Sequence, residues 1–160
     1  MESRVKALGH PVHPMLVMFP LGLLVTAVAF DFIDLVGGPD VLGEVAFWNI
    51  TVGLAVGLLA AVAGLIDWLA IPRDTRAKRV GALHGLLNLG LVVVFAIVWL
   101  IRLGADGRDA GTALFIVELL ALGAGGVSAW LGGELVDRLG VGVDDEANLN
   151  APSSLRPSRT

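Results

Sequence analysis

The chain has 160 residues, of which 56 % are hydrophobic and 16 % are charged, and its mean hydropathy is +0.81. Soluble domains are typically about 45–50 % apolar, so this composition predicts an integral membrane protein. The absence of cysteine excludes disulfides, zinc fingers and thiolate-bound clusters, and the net charge of −4 gives no reason to expect a nucleic-acid partner.

Four hydrophobic segments follow in chain order, at residues 15–36, 45–71, 81–103 and 112–139. Each is at least about 20 residues long, which is enough to cross about 30 Å of hydrocarbon. Backbone groups in lipid must bond within their own segment, and these runs lack the alternation of barrel strands, so helices are predicted. We therefore expect an all-α, four-helix membrane bundle over residues 1–143 and a polar, flexible tail over residues 144–160.

Two histidines precede the first segment, in the run at residues 9–14. Proline at positions 11 and 14 favours an extended, polyproline-like start that projects His10 and His13 from the same edge. The first segment itself contains Pro20 and Asp31 and lacks a small-residue cleavage site. It is therefore predicted to be a retained transmembrane helix rather than a signal peptide.

The second and third segments each have one distinctive face. On the second segment, small residues recur on one face and let another helix approach closely. These residues are Gly53, Gly57, Ala60 and Gly64, and Asp67 continues the same face. On the third, His84, Asn88 and Arg102 fall within one narrow arc at 100° per residue. His84 and Asn88 are therefore expected to point into the bundle. The fourth segment is also rich in glycine.

The loops predict the orientation of the chain. The loop at residues 73–79 holds four basic residues, whereas the loop at residues 37–44 holds none. Further basic residues lie in the N-terminus and in the tail, at Arg4, Lys6, Arg138, Arg156 and Arg159. The positive-inside rule places both termini and the loop at residues 73–79 in the cytoplasm.

This orientation brings all three histidines to one side of the membrane, near Asp67, Glu134 and Asp137. A haem iron would take His13 and His84, with His10 nearby and its propionates near Arg73, Arg76 and Arg79. Zinc or another divalent ion would instead take His10, His13, His84 and Asp67, with Asn88 behind them. A purely structural polar cluster is the remaining interpretation, although ionisable groups facing a membrane bundle usually have a function.

Two further patterns bear on the site. His13 and His84 are 71 residues apart, and Asp67 and Asp137 are 70 apart, which suggests a repeated two-helix unit. A second set of polar residues lies toward the other side of the membrane and consists of Asp31, Asp34, Asn49, Arg102 and Glu118. Arg102 is expected to neutralise Asp31 or Glu118 there. An ion pair is favoured there over a proton path.

Four motifs of the chain carry a resemblance to a known family. They are the opening at residues 10–22, residues 64–68 in the second segment, His84 with Asn88 in the third, and residues 132–136 with 140–143 at the C-terminal end. Together they resemble the motifs of a bacterial membrane family catalogued as domain of unknown function 2231. Some relatives carry an appended Rieske iron–sulfur domain, so the resemblance implies electron transfer and favours haem over zinc. Without cysteine in this chain, an iron–sulfur protein would be a separate partner.

The leading hypothesis is a redox or cofactor-binding subunit of the bacterial cytoplasmic membrane that holds haem b or a metal ion. The alternatives are a zinc-dependent membrane hydrolase, a small transporter that depends on Glu118 and Asp31, and a structural subunit of a larger complex. The lipid bilayer is the expected surrounding, and the small-residue stripes make a homodimer plausible.

Overall fold

The computed structural model describes residues 1–155. Two short strands and four long helices make up the described chain. In order they are β1 (Lys6–Ala7), β2 (His10–Pro11), α1 (Val12–Leu35), α2 (Val41–Ala70), α3 (Arg76–Arg102) and α4 (Gly111–Gly133). A 3₁₀ turn at Asp106–Arg108 precedes α4, and a π-helical turn at Glu134–Arg138 follows it.

The structure confirms the four-helix, all-α bundle, and all four helices are long and apolar enough to cross a membrane. Each begins before its hydrophobic segment, by as many as five residues for α3. Pro14 is tolerated in the first turn of α1, where its missing N–H would have no helical partner. Thr75 caps α3 because its hydroxyl accepts from the Lys78 N–H at 3.1 Å, so the helix includes the basic residues of the loop.

The helices form an antiparallel ring in which α1 contacts α2 and α4, and α3 also contacts α2 and α4. Helices α1 and α3 therefore lie diagonally across the bundle. Large side chains such as Leu120 and Trp130 point outward and are 70 % and 67 % exposed, as expected of a surface that faces lipid. The buried core lies in the middle of the ring and consists of Leu24, Ala27, Val28, Ala46, Ile50, Phe95, Val98 and Ala121.

Small residues of α2 make the close approach to α1 that the sequence predicts. A Cβ at Gly53 would lie 3.3 Å from Leu24, and one at Gly57 would lie 3.6 Å from Pro20. On α4, Gly125 faces Leu91 of α3 in the same way, at 3.4 Å. Close packing therefore joins α1 to α2 and α3 to α4.

We call the end of the bundle that holds Met1, residues 71–75 and residues 139–155 the terminal end, and the opposite end the far end. At the terminal end, Leu8 and Gly9 have positive φ (51° and 83°) and link β1 to β2 as a two-residue hairpin turn. Pro11 is extended, as predicted, with φ −65° and ψ 127°. Helix α1 begins directly after it, so the expectation that His10 and His13 share one edge is wrong.

Part of the predicted tail contacts the N-terminal segment. The Met1 ammonium lies 3.4 Å from the Asp145 carboxylate of the tail, and it also donates to the Gly140 carbonyl, just before the tail, at 3.1 Å. Further on, the Ser154 hydroxyl donates to the Leu8 carbonyl at 3.1 Å. The predicted tail also includes residues 156–160, with Arg156 and Arg159, which lie outside the described residues.

Candidate functional site

His13 lies in the first turn of α1 and points at α2. Its Nδ1 is 2.8 Å from the Ala60 carbonyl. A carbonyl oxygen only accepts, so Nδ1 must be the donor and must carry the proton. In the neutral ring, Nε2 then has a free lone pair, and within residues 1–155 no group hydrogen-bonds to it.

His84 has the matching arrangement between α3 and α4. Its Nδ1 donates to the Ser128 carbonyl at 2.8 Å, which fixes the same tautomer as in His13. The Asn88 amide donates to Nε2 at 3.1 Å and to the His84 carbonyl, one turn back, at 3.0 Å. The lone pair of His84 therefore faces a neutral, displaceable amide rather than a charged group.

The two imidazoles meet across the bundle. Their ring centroids are 6.5 Å apart and their planes are nearly perpendicular, at 89°. Two imidazoles that bind one ion through nitrogen at about 2.0–2.1 Å have centroids about 5–6.5 Å apart, and the tetrahedral angle gives the short end of that range. The spacing of His13 and His84 therefore suits one metal centre, and each ring is held by a backbone carbonyl behind it, as metal-binding histidines usually are.

A glycine lies under each histidine ring. A Cβ at Gly64 would come within 2.8 Å of the His13 ring, and one at Gly132 within 3.2 Å of the His84 ring. The histidines are 71 residues apart, and both the glycines and the two carbonyl acceptors are 68 apart. These equivalent contacts support the two-helix repeat. Asp67 and Asp137, which were predicted to occupy equivalent positions, do not belong to it.

The four residues of the predicted metal set do not come together. Asp67 instead accepts from the Ser3 hydroxyl at 2.7 Å and from the Arg4 N–H at 2.6 Å. His10 is exposed on the hairpin, with its Nε2 3.3 Å from the Ser154 hydroxyl. Within the described part of the chain, no group of three or more His, Asp or Glu side chains could hold a metal ion. Only His13 and His84 of the predicted ligands form a pair.

The far end contains a second buried polar group. Arg102 binds the Asp31 carboxylate through both Nη atoms, at 2.8 and 2.7 Å, and donates from Nη1 to Glu118 at 3.0 Å. All three side chains are excluded from solvent. Arg102 was predicted to neutralise Asp31 or Glu118, and its guanidinium hydrogen-bonds to both carboxyl groups.

The chain matches a known protein family over most of its length. The model of a family described as predicted membrane protein (DUF2231) matches residues 9–145. The chain belongs to the DUF2231 family. No curated protein and no solved structure matches it. The DUF2231 match covers both histidines of the pair and the whole far-end group.

The three arginines predicted to balance anionic groups have different surroundings in this DUF2231 protein. Arg76 forms a salt bridge with Glu134 at 2.7 Å. Arg73 and Arg79 are exposed at the terminal end. Arg73 and Arg79 are therefore the better placed of the three to meet an anionic group at the membrane surface.

The groups that orient the histidines were not predicted from the sequence. Ala60 acts through its backbone carbonyl, so its side chain gives no signal. Ser128 acts through its carbonyl and also through its hydroxyl, which lies 3.1 Å from His84 Nδ1 and donates to the His84 carbonyl at 3.2 Å. An offset of 68 residues between α2 and α4 relates Ala60 to Ser128 and Gly64 to Gly132. That offset differs from the 71 residues between the histidines, so a search for a repeat of one fixed period does not reveal that these positions are equivalent.

The role of Asp67 gives a direct prediction. We expect Asp67→Ala to release the N-terminal segment, because Ser3 and Arg4 lose their shared acceptor. Trypsin should then cut after Arg4 or Lys6 at least several times faster in detergent micelles. The exposed Asp137→Ala is the matched control and should leave the cleavage rate unchanged. Equal rates in Asp67→Ala and the native protein would contradict this anchoring role.

Proposed function

We propose that this protein is a redox or cofactor-binding subunit of the bacterial cytoplasmic membrane, with one metal centre between His13 and His84. The observation that supports the proposal is the pair itself: two imidazoles from diagonal helices, with ring centroids 6.5 Å apart and planes nearly perpendicular. Each is oriented through Nδ1 so that Nε2 remains the metal-binding atom.

Haem b is the first candidate for the centre. Diagonal helices of a four-helix bundle can supply two histidines that would hold one haem iron. The exposed Arg73 and Arg79 would meet its propionates at the terminal end, where Arg76 is already paired with Glu134. Bound haem would supply one-electron transfer, and the role of His13 and His84 would be to hold the iron and tune its potential.

A single divalent ion such as zinc is the second candidate, and its tetrahedral geometry would draw the two rings about 1 Å closer than their present 6.5 Å. Asn88 would move away from His84 Nε2 or hydrogen-bond to a water on the ion. The hydrolase hypothesis requires such an ion with an open position that activates water.

The placement in the membrane is part of the proposal. Both termini and the basic loop at residues 73–79 lie in the cytoplasm, as the positive-inside rule predicts. The metal centre then lies near the cytoplasmic surface, within reach of a separate iron–sulfur protein that exchanges electrons with it. Exposed small-residue positions of α4 such as Gly123 and Gly126 suit a homodimer contact.

An optical spectrum and elemental analysis of the protein, purified from native membranes without chelator, test the proposal. Haem b predicts a Soret band that shifts and sharpens on dithionite reduction. A lone ion predicts a colourless protein with about one equivalent of metal. In either case His13→Ala and His84→Ala should each lose most of the bound centre, because both ligands are needed.

His10→Ala is the matched control, since His10 is exposed on the hairpin and apart from the pair. It should retain the spectrum or the metal of the native protein. A folded native protein that is colourless and free of metal would refute the proposal and favour the transporter or structural hypothesis. Retention of the centre in His13→Ala would equally refute this ligand assignment.

A further inference from the structure

The far-end group contains more negative charge than positive charge. Arg102 has five N–H donors, and all five have acceptors. The Nε donates to the Arg108 carbonyl, and the two Nη atoms donate to Asp31, Glu118 and the Gly43 carbonyl. The guanidinium is therefore fully used, and it neutralises only one of the two carboxylates.

Glu118 is the carboxyl group left without a counter-ion. Asp31 receives two hydrogen bonds from Arg102, whereas Glu118 receives one, on Oε1. The Glu118 side chain is fully buried, and its Oε2 has no hydrogen-bond partner. An ionised carboxylate in that position would combine a buried net charge with an unsatisfied oxygen, and both are costly in a membrane interior.

Other charged groups at the far end do not supply the missing positive charge. Asp34 on α1 and Asp109 in the loop before α4 are themselves acidic and lie near the group. Glu44 on α2 is exposed. The nearest additional cation, Arg108, has its guanidinium over the Phe47 ring, 4.1 Å from the ring centroid.

We propose that Glu118 is a proton-binding site within the membrane: its carboxyl holds a proton while Asp31 provides the negative charge that pairs with Arg102. The proton converts a Glu118 oxygen into a donor, and the Asp31 carboxylate lies beside it as an acceptor, because Arg102 Nη1 donates to both carboxyl groups. A metal cation at this position would lie beside the fixed charge of Arg102, whereas a proton binds covalently to one oxygen. The site is distinct from the histidine pair: His13 and Asp31 are about 27 Å apart along α1, at 1.5 Å per residue.

Infrared spectroscopy of the full chain in phosphatidylcholine–phosphatidylglycerol vesicles tests the assignment at pH 7. The native protein should show the carbonyl stretch of a buried protonated carboxyl, and the band should shift in D₂O. Glu118→Gln should lose this band, while the exposed Glu44→Gln should keep it. Asp31→Asn should also lose it, because Glu118 then becomes the only anion for Arg102 and ionises.

The absence of the band from the native protein, or its persistence in Glu118→Gln or Asp31→Asn, would overturn the proposal. A band that appears only in sodium-free buffer would do so as well, since it would assign the position to a monovalent cation. Glu118→Gln keeps the shape of the protonated side chain and is expected to fold. If it does not, solid-state ¹³C NMR of the native protein decides between one protonated glutamate carboxyl and none.

Discussion

Replacing Arg102 by methionine is expected to lower the free energy of unfolding by about 3–5 kcal/mol, the loss typical when one partner of a buried charged pair is removed. Arg102 is fully buried, and its loss leaves Asp31 and Glu118 facing each other without a cation. The carbonyls of Gly43 and Arg108 also lose their donor. Unfolding in mixed micelles, followed by the fluorescence of the four tryptophans, measures the change.

The charge origin of this effect is separable from a packing defect. If the uncompensated charge of Asp31 dominates, the triple variant Arg102→Met, Asp31→Asn, Glu118→Gln should recover more than half of the loss, since no net charge remains buried. Arg73→Met is the matched control, because Arg73 is exposed and its loss should change stability by less than about 0.5 kcal/mol. A stability of Arg102→Met equal to that of the native protein would mean that the ion group contributes nothing to folding.

The bundle is largely predictable from the sequence because one physical requirement governs it. A backbone in lipid must satisfy its own hydrogen bonds, so long apolar runs can only be helices. The ends of the helices are less predictable, because hydropathy reports the lipid boundary rather than the helical hydrogen bonds. Helix α3 begins at Arg76, among charged residues, because Thr75 caps it there.

The histidine pair was predictable in part. The direction of α1 and α3 brings His13 and His84 to the same end, and the polar face of α3 turns His84 inward. The hydrogen bonds of Asp67 were not predictable, because its partners belong to a segment without regular structure whose path no sequence periodicity describes. His10 was misplaced for a related reason: a hairpin turn at Leu8 and Gly9, rather than a continuous extended strand, sets its position.

Gly64→Ala is expected to weaken binding at the histidine pair by about 10–100-fold, the loss typical when the groups that orient a metal ligand are disturbed. The added Cβ would lie 2.8 Å from both Cε1 and Nδ1 of the His13 ring. The ring cannot shift without losing a contact, because its Nδ1 is hydrogen-bonded to the carbonyl of Ala60, which lies on the same helix as Gly64. It must therefore rotate away, which breaks that hydrogen bond and changes the direction of Nε2.

Two further glycines turn this into a graded test. Gly132→Ala should have the same kind of effect on His84 but a smaller one, since its Cβ would lie 3.2 Å from the ring. Gly126→Ala on the same helix has open space and should leave binding unchanged. The ¹⁵N NMR shifts of the histidine side chains measure the ring displacement whether or not a metal is bound. If Gly64→Ala leaves the His13 resonance and the bound centre unchanged, close packing against glycine does not set the geometry of the pair.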